Sequence, residues 1–366
     1  MPRIKLSVFM PMTVAVMNAA LFFTYIMTKE VSVTDDLSLL IDSNSITRQT
    51  TGSSIQKSKK HDFSTAICSI VKDGEAYLQE WIDYNLFALE FDNIYIYDHS
   101  KNFDLKRWYE NTRNHPEYSR VEIMHFNTSH YDEEKDYPQL VAYNLCMQTY
   151  GKQGPHDYVF FLDNDEYLVF QESGQHLETV HDLIGEYLHP FDYGGALAIN
   201  WMYFGSANRT VYSPVPVLKR FQYSDEKATF LVKTLAKTSK FVEANNPHSV
   251  LVDENSTTLE PSTPGARAKL SKTGASNHNV PSKVALLYHY RFMSDKEQIF
   301  KQCHRGNVDE VHRGCDTKTG TINVKGLSPQ LRPRVGTRFN DKAWKFLTTK
   351  VAKYRIYDLD EYQDFF

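Results

Sequence analysis

The chain predicts an α/β fold with a mostly parallel sheet and flanking helices. Three stretches carry that expectation. "STAICSIV" (64–71) is short, apolar and β-branched, as a buried strand is. "KDGEAYLQEWIDYNLFALEFD" then sets Leu78, Trp81, Ile82, Leu86 and Leu89 on one helical face, and "NIYIYDHS" (93–100) is strand-like again. Strand, helix and strand within about 35 residues form a βαβ unit, so the strands run parallel with a right-handed crossover.

The remaining elements follow the same logic. Asp73 is placed to cap the first helix and Glu75 to sit in its first turn. A helix over 140–150 leads into "YVFFL" (158–162), bulky and apolar at every position, as a central strand covered on both faces must be. "GALAINWMYFG" (195–205) reads as a strand opening into an aromatic loop. The Ser/Thr/Pro/Gly/Asn-rich stretch 253–282 reads as a mobile insertion. "VALLYHY" returns to strand character, and "SDKEQIFKQCHRG" is a short helix capped by Ser294 or Asp295. "ALEFD" puts Glu90 where a glycine would suit the helix end, so Glu90 must take up the turn or extend the helix.

With 366 residues, 41% of them hydrophobic, the chain can bury a substantial core. A formal charge of −4 gives no basic field for nucleic acid, which is not expected as a partner. Residues 6–27 are uncharged and apolar, and 22 residues suffice to cross a bilayer as a helix. Arg3 and Lys5 precede this span and acids follow it, so residues 1–5 are expected in the cytosol and everything after about residue 28 in the lumen. Polar, aperiodic residues 28–62 read as a stem. Sequons at Asn127, Asn208 and Asn255 agree with the lumenal side. Of the four cysteines, Cys303 and Cys315 are close enough to pair, while Cys68 in a strand-like run and Cys146 in a helix-like one are expected as buried free thiols.

"VFFLDNDEYLVF" (159–170) raises a chemical question, because unpaired carboxylates inside an apolar run are costly. Ligands of open α/β sheets bind outside the carboxyl ends of the strands, and Asp98 and Asp163 both fall at such ends. In extended chain Asp163 and Asp165 point the same way, and two convergent carboxylates call for a counter-charge. Mg²⁺ or Mn²⁺ bridging a diphosphate would supply it, whereas a turn cap is the plainer role of an isolated D-x-D.

The blocks "SIVKDGEAYLQEWIDYNLFALEFDNIYIYDHS", "YVFFLDNDEYLVF", "INWMYFGSANR", "VKTLAKTSKF" with "PHSVLV", and "LYHYRFMSDKEQIFKQCHRG" occur in the order of glycosyltransferase family 92, which the chain resembles over roughly 63–310. The resemblance implies a GT-A fold in one catalytic domain behind a type II membrane anchor, followed by an extension at 311–366. It also implies a UDP-sugar donor, galactose above others, a glycan acceptor, Mn²⁺ (or Mg²⁺), inversion at the anomeric carbon, and residence in the Golgi or ER–Golgi membrane. Carried over by position, Asp163 and Asp165 resemble the metal-binding D-x-D motif, with Asp165 the more direct metal ligand and Asp163 the one nearer the ribose. Asp98 resembles the acid that holds uracil or ribose, and Lys72 and Asp73 would line the same nucleotide pocket.

His289 in "YHYR" matches the position of a C-terminal metal ligand, or is a histidine packed in an edge strand; His248 in "NPHSV" is the rival. Trp201, Tyr203, Phe204, Gly205 and Ser206 resemble the loop that closes over donor and acceptor sugars, with core packing the other reading of Trp201. Lys233 and Arg291 are placed either to neutralise phosphate oxygens or to form ordinary ion pairs. Glu166 is a candidate general base or a structural acid at the strand end. The alternative function is a catalytically silent glycan-binding or scaffold protein with the same fold. A metal-dependent phosphohydrolase would use the same acids, but the aromatic block at 201–204 favours sugar.

Overall fold

A computed structural model describes residues 62–306, 314–316, 318–324, 327 and 332–358. The expected tail 1–5, span 6–27 and nearly all of the stem 28–62 lie outside these residues. No helix among the described residues is long and apolar enough to cross a membrane.

The predicted βαβ start is present as β1 (Thr65–Val71), α1 (Glu75–Asp83) and β2 (Asn93–Asp98). There follow α2 (Lys106–Thr112), β3 (Val121–His125), α3 (Pro138–Cys146), β4 (Tyr158–Phe161), β5 (Glu166–Phe170) and α4 (Val180–Tyr187). Next come β6 (Gly194–Tyr203), α5 (Val217–Arg220), β7 (Tyr223–Ser224), β8 (Val232–Lys237), β9 (Phe241–Asn246), β10 (Ser249–Val252), β11 (Thr257–Leu259) and β12 (Ala285–His289). Helix α6 (Asp295–Ile299) runs on into a π-helical turn, Phe300–Arg305, and α7 (Lys342–Lys350) packs last.

One curled, mostly parallel sheet runs in the order β3-β2-β1-β4-β8-β6-β12-β5, with β11 also pairing β6. Strand β4 is parallel to β1, as expected, but antiparallel to β8 on its other side. Strand β8 is antiparallel to β6 as well, so β6, and β12 parallel to it, point the same way as β4. The carboxyl ends of β1, β2, β4, β6 and β12 therefore share one edge of the sheet. The first residues of β8 and β5, which run the opposite way, arrive at that edge too.

Period-two alternation assigns the core to both faces. Ile67, Val71, Tyr158, Phe160 and Leu162 pack with Leu78, Trp81 and Ile82 of α1, whereas Ala66, Cys68, Ile70, Val159 and Phe161 pack with Ala142, Tyr143 and Cys146 of α3. Cys68 and Cys146 are thus neighbours across one interface, and they form a disulfide, correcting the expectation of free thiols. Cys303 and Cys315 are paired as expected.

Two local expectations change. Asp73 does not cap α1: it adopts φ 45° and Gly74 stands at the N-cap, with no side-chain cap bond. The 253–282 segment is tied into the structure rather than loose. Strand β11 extends the sheet from β6, bridges join Leu259 to Arg267 and Leu270 to Asn277, and buried Asn277 donates to buried Glu260. Polar composition signalled a loop, but these side chains supply each other's hydrogen bonds.

Glu90 takes the turn with φ 61°. An L-residue pays about 1–2 kcal/mol in the left-handed region that glycine escapes, partly offset by the entropy glycine loses on folding. Glu90 is exposed, so Glu90→Gly is expected to raise stability by about 0.5–1 kcal/mol. A urea midpoint that stays put or falls would reject this account.

Candidate functional site

At the shared edge lies a cavity of about 490 Å³. Its walls come from the end of β1 (Ile70, Lys72), the approach to and start of α3 (Tyr137, Gln139, Leu140), and the turn after β4 (Asp163, Asn164, Asp165). Trp201 and Tyr203 of β6, Leu231 and Lys233 of β8, the Asn246–Pro247–His248 hairpin, and His289, Arg291, Lys301 and Arg305 complete it. Lys72, Asp163, Asp165, Trp201, Tyr203, Lys233, His248, His289 and Arg291 are the lining residues to which the sequence points.

The acids converge by a turn rather than by extended chain. Glu166 N–H donates to the Asp163 carbonyl at 3.1 Å, closing a turn over Asn164 and Asp165. Gly74 makes room for it, since a Cβ there would lie 2.4 Å from Asn164 Nδ2. Each carboxylate then has its own partners. Asp163 Oδ1 takes Lys233 Nζ at 2.9 Å and Gln139 Nε2 at 2.9 Å. Asp165 is 6% exposed; its Oδ2 takes Lys301 Nζ at 2.6 Å, and its Oδ1 lies 3.4 Å from His289 Nε2.

These contacts set the charges. Burial opposes the charge of Asp165, yet Lys301 and His289 hold its carboxyl well below the usual range. Burial likewise works against Lys233, but Asp163 and Glu166 keep its ammonium well above the ordinary lysine value. Burial pushes His289 down, against the pull of Asp165. His248 is pushed down to about 4 by burial and by Lys233, and its Nδ1 lies 3.1 Å from the Val232 carbonyl. A neutral imidazole can only donate to a carbonyl, so His248 carries its proton on Nδ1 and has a bare Nε2.

Glu166 lies beneath the cavity and has no exposed surface. Burial raises its carboxyl well above the usual value. Its Oε2 accepts from Asp163 N–H at 3.0 Å and lies 3.7 Å from Lys233 Nζ. A group sealed in this way cannot touch an acceptor hydroxyl, so the general-base expectation for Glu166 is corrected to a role under the floor.

Other expected residues also stand outside the cavity walls. Asp98 is fully buried and spends its oxygens on the amides of Ser100 (2.9 Å) and Leu105 (3.0 Å). Asp73 N–H donates to Ser100 Oγ. Phe204 is packed between Tyr288 and Tyr290, with ring centroids at 4.7 and 4.5 Å. Gly205 is pressed against backbone, a Cβ there falling 2.1 Å from the Val335 carbonyl carbon, and Ser206 N–H donates to the Arg334 carbonyl. The 204–206 stretch therefore anchors chain rather than facing the cavity.

Lys301 and Arg305 were not singled out by sequence, although their i, i+4 spacing puts them on one helical face. That face is fixed from behind. Ser294 and Glu297 form a capping box, and buried Glu297 receives both Nη atoms of buried Arg220 at 2.9 and 3.0 Å. Arg305 Nη1 donates to the Lys72 carbonyl at 2.9 Å, joining the helix to the end of β1.

Several buried polar atoms around the cavity have no hydrogen-bond partner: Asn164 Nδ2, Trp201 Nε1, Arg291 Nε, His289 Nδ1 and Glu166 Oε1. Native proteins rarely strand such atoms, and water or a ligand in the cavity would complete these. Oδ1 of Asp165 and Nε2 of His289 are spaced to share a divalent ion as adjacent ligands, so the residues fit one. Among the described residues no group of three or more His, Cys, Asp or Glu is placed to hold a metal ion, so the protein offers one this pair alone.

No protein-family model matches the chain, and no curated protein does. Among solved structures the chain is similar in part to TarS of S. aureus, at 16% identity and a TM-score of 0.26, over 48% of this chain and 28% of the TarS chain.

Proposed function

We propose that the protein is a metal-dependent inverting glycosyltransferase that moves a hexose, galactose in our reading, from a UDP-sugar to a glycan hydroxyl. The motif order that resembles glycosyltransferase family 92 supports the class. The single observation that carries the reading is the Asp165–His289 pair beside Arg291, Lys301 and Arg305 in one cavity at the carboxyl edge of the sheet. A diphosphate is the ligand that needs both sets, cations for its oxygens and carboxylate for its metal.

When bound, Mn²⁺ or Mg²⁺ supplies a Lewis acid for the charge of the departing diphosphate. The chain's own residues do the rest. Lys301, held by Asp165, and Arg305, held by the Lys72 carbonyl, line the cavity as fixed charges for the phosphates, which is where fixed charges contribute most. Asp163, clamped by Lys233 and Gln139, stands at the ribose side. Trp201 and Tyr203 wall the sugar side, and the bare Nε2 of His248 accepts a sugar hydroxyl there. Anchorage by residues 6–27 with the catalytic domain in the Golgi lumen belongs to the same proposal.

The test is UDP release by the purified full-length protein across a panel of UDP-sugars, with Mn²⁺ or with a chelator. Release with one sugar that stops on chelation is expected. No release, and no shift in melting temperature with any nucleotide-sugar, would overturn the reading in favour of a silent glycan-binding protein.

A further inference from the structure

Glu166 Oε1 and His289 Nδ1 are both buried and both lack a hydrogen-bond partner, yet they face one another at 4.0 Å. Their meeting is built into the sheet, because β5 and β12 pair in antiparallel register with Glu166 opposite His289. Neither side chain can turn away. The other Glu166 oxygen is pinned by the Asp163 amide, and the His289 ring lies against Trp201 at a centroid distance of 4.4 Å.

The two neutral tautomers of His289 lead to different outcomes. With the proton on Nε2, the ring donates to Asp165 Oδ1 at 3.4 Å and strands both Nδ1 and Glu166 Oε1. With the proton on Nδ1, a closing movement of about 1 Å gives Glu166 its missing donor at ordinary hydrogen-bond length. The Nε2 lone pair then faces the Asp165 oxygen, which is repulsive unless a cation lies between them. Ligands about 2.1 Å from an ion at a right angle are about 3 Å apart, close to the separation here.

We propose that Glu166 is a positioning residue: its Oε1 accepts from His289 Nδ1–H and so aims Nε2 at a divalent cation shared with Asp165. The inference rests on the glycosyltransferase reading only in taking that cation to accompany the donor diphosphate. Carboxylate, imidazole and metal in series is a recurrent way to fix a ligand's tautomer and raise its basicity. It also explains an acid in a place no substrate can reach. Lys233 lies near both Glu166 and Asp163, so the floor charge is balanced by a lysine with no share in the metal.

The test titrates Mn²⁺ into the full-length protein with UDP present, for wild type, Glu166→Gln and Glu166→Ala. Expected is a rise in the Mn²⁺ dissociation constant of about tenfold for Gln, which keeps a weaker acceptor, and nearer a hundredfold for Ala. UDP binding measured without metal should not move in the Gln variant, which a merely structural role would disturb. Wild-type affinity for Mn²⁺ in a folded Glu166→Gln protein would overturn this inference and leave the transferase reading standing. Failure of the wild type to take up Mn²⁺ would instead overturn the metal reading and this inference with it. A measurement on wild type needs no variant to fold: imidazole ¹⁵N shifts, with His289 assigned by difference from His289→Gln, should show the Nδ1–H tautomer once Mg²⁺ and UDP are added. Persistence of the Nε2–H form would reject the proposal.

Discussion

Asp165→Asn is expected to lower UDP-sugar turnover by about three orders of magnitude, roughly 4 kcal/mol of transition-state stabilisation, while leaving a folded protein. Asparagine keeps an oxygen for His289 and Lys301 but removes the charge that a divalent ion needs. Raising Mn²⁺ should not restore the rate. Removing one partner of a buried ion pair can cost 3–5 kcal/mol, but the Lys301 side chain is 23% exposed and can reach water. The stability loss is therefore expected nearer 1–2 kcal/mol, a fall in melting temperature of several degrees. Asp163→Asn should be milder on turnover, because its carboxylate is already neutralised by Lys233 on the side of Oδ1. Near-normal turnover in folded Asp165→Asn would sink the assignment. Loss of activity together with loss of the melting transition would leave only a structural role for the carboxylate.

What could be read from the sequence was what depends on local pattern. Alternating and continuous apolar runs located β1, β2 and β4, and a 3.6-residue period located α1. Knowing that strands end where Asp98 and Asp163 stand was enough to put acids at one edge. The misses came from information that a single chain does not carry locally. The free-thiol expectation failed because a strand cysteine and a helix cysteine each look like core until it is known that α3 lies on the Cys68 face of β1. Asp98 was expected at the ligand, but an acid at a strand end can equally cap the loop that follows, and here two amides take it. Phe204–Ser206 resembled a sugar loop, yet close backbone packing against Val335 and Arg334, far along the chain, fixes it as an anchor. Lys301 and Arg305 carry no motif of their own, and only the Glu297–Arg220 pair behind them shows why that face turns inward.

The Cys68–Cys146 disulfide is where the largest loss of stability is expected. Its ends are 78 residues apart, and closing a loop of that length restricts the unfolded chain by about 4–5 kcal/mol on the chain-entropy account. The paired replacement Cys68→Ala with Cys146→Ala should therefore lower the melting temperature by roughly 10 °C, at 2–4 °C per kcal/mol for a domain of this size. Cys303–Cys315 closes a loop of only 12 and should matter less, about 3 kcal/mol on the same account. Reductant should destabilise the wild type and leave the double variant at Cys68 and Cys146 affected only through the second bridge. The bridge also reaches the site. Gln139 and Tyr143 lie on the same helix as Cys146 and both contact Asp163 Oδ1, at 2.9 and 3.3 Å. Releasing α3 from β1 should loosen that clamp before it disturbs Asp165, whose partners come from β12 and the π-helical turn. The double variant is thus expected to show a raised KM for the donor with a smaller change in kcat. A kcat loss as deep as that of Asp165→Asn, with KM unchanged, would mean that the two acids are not held independently.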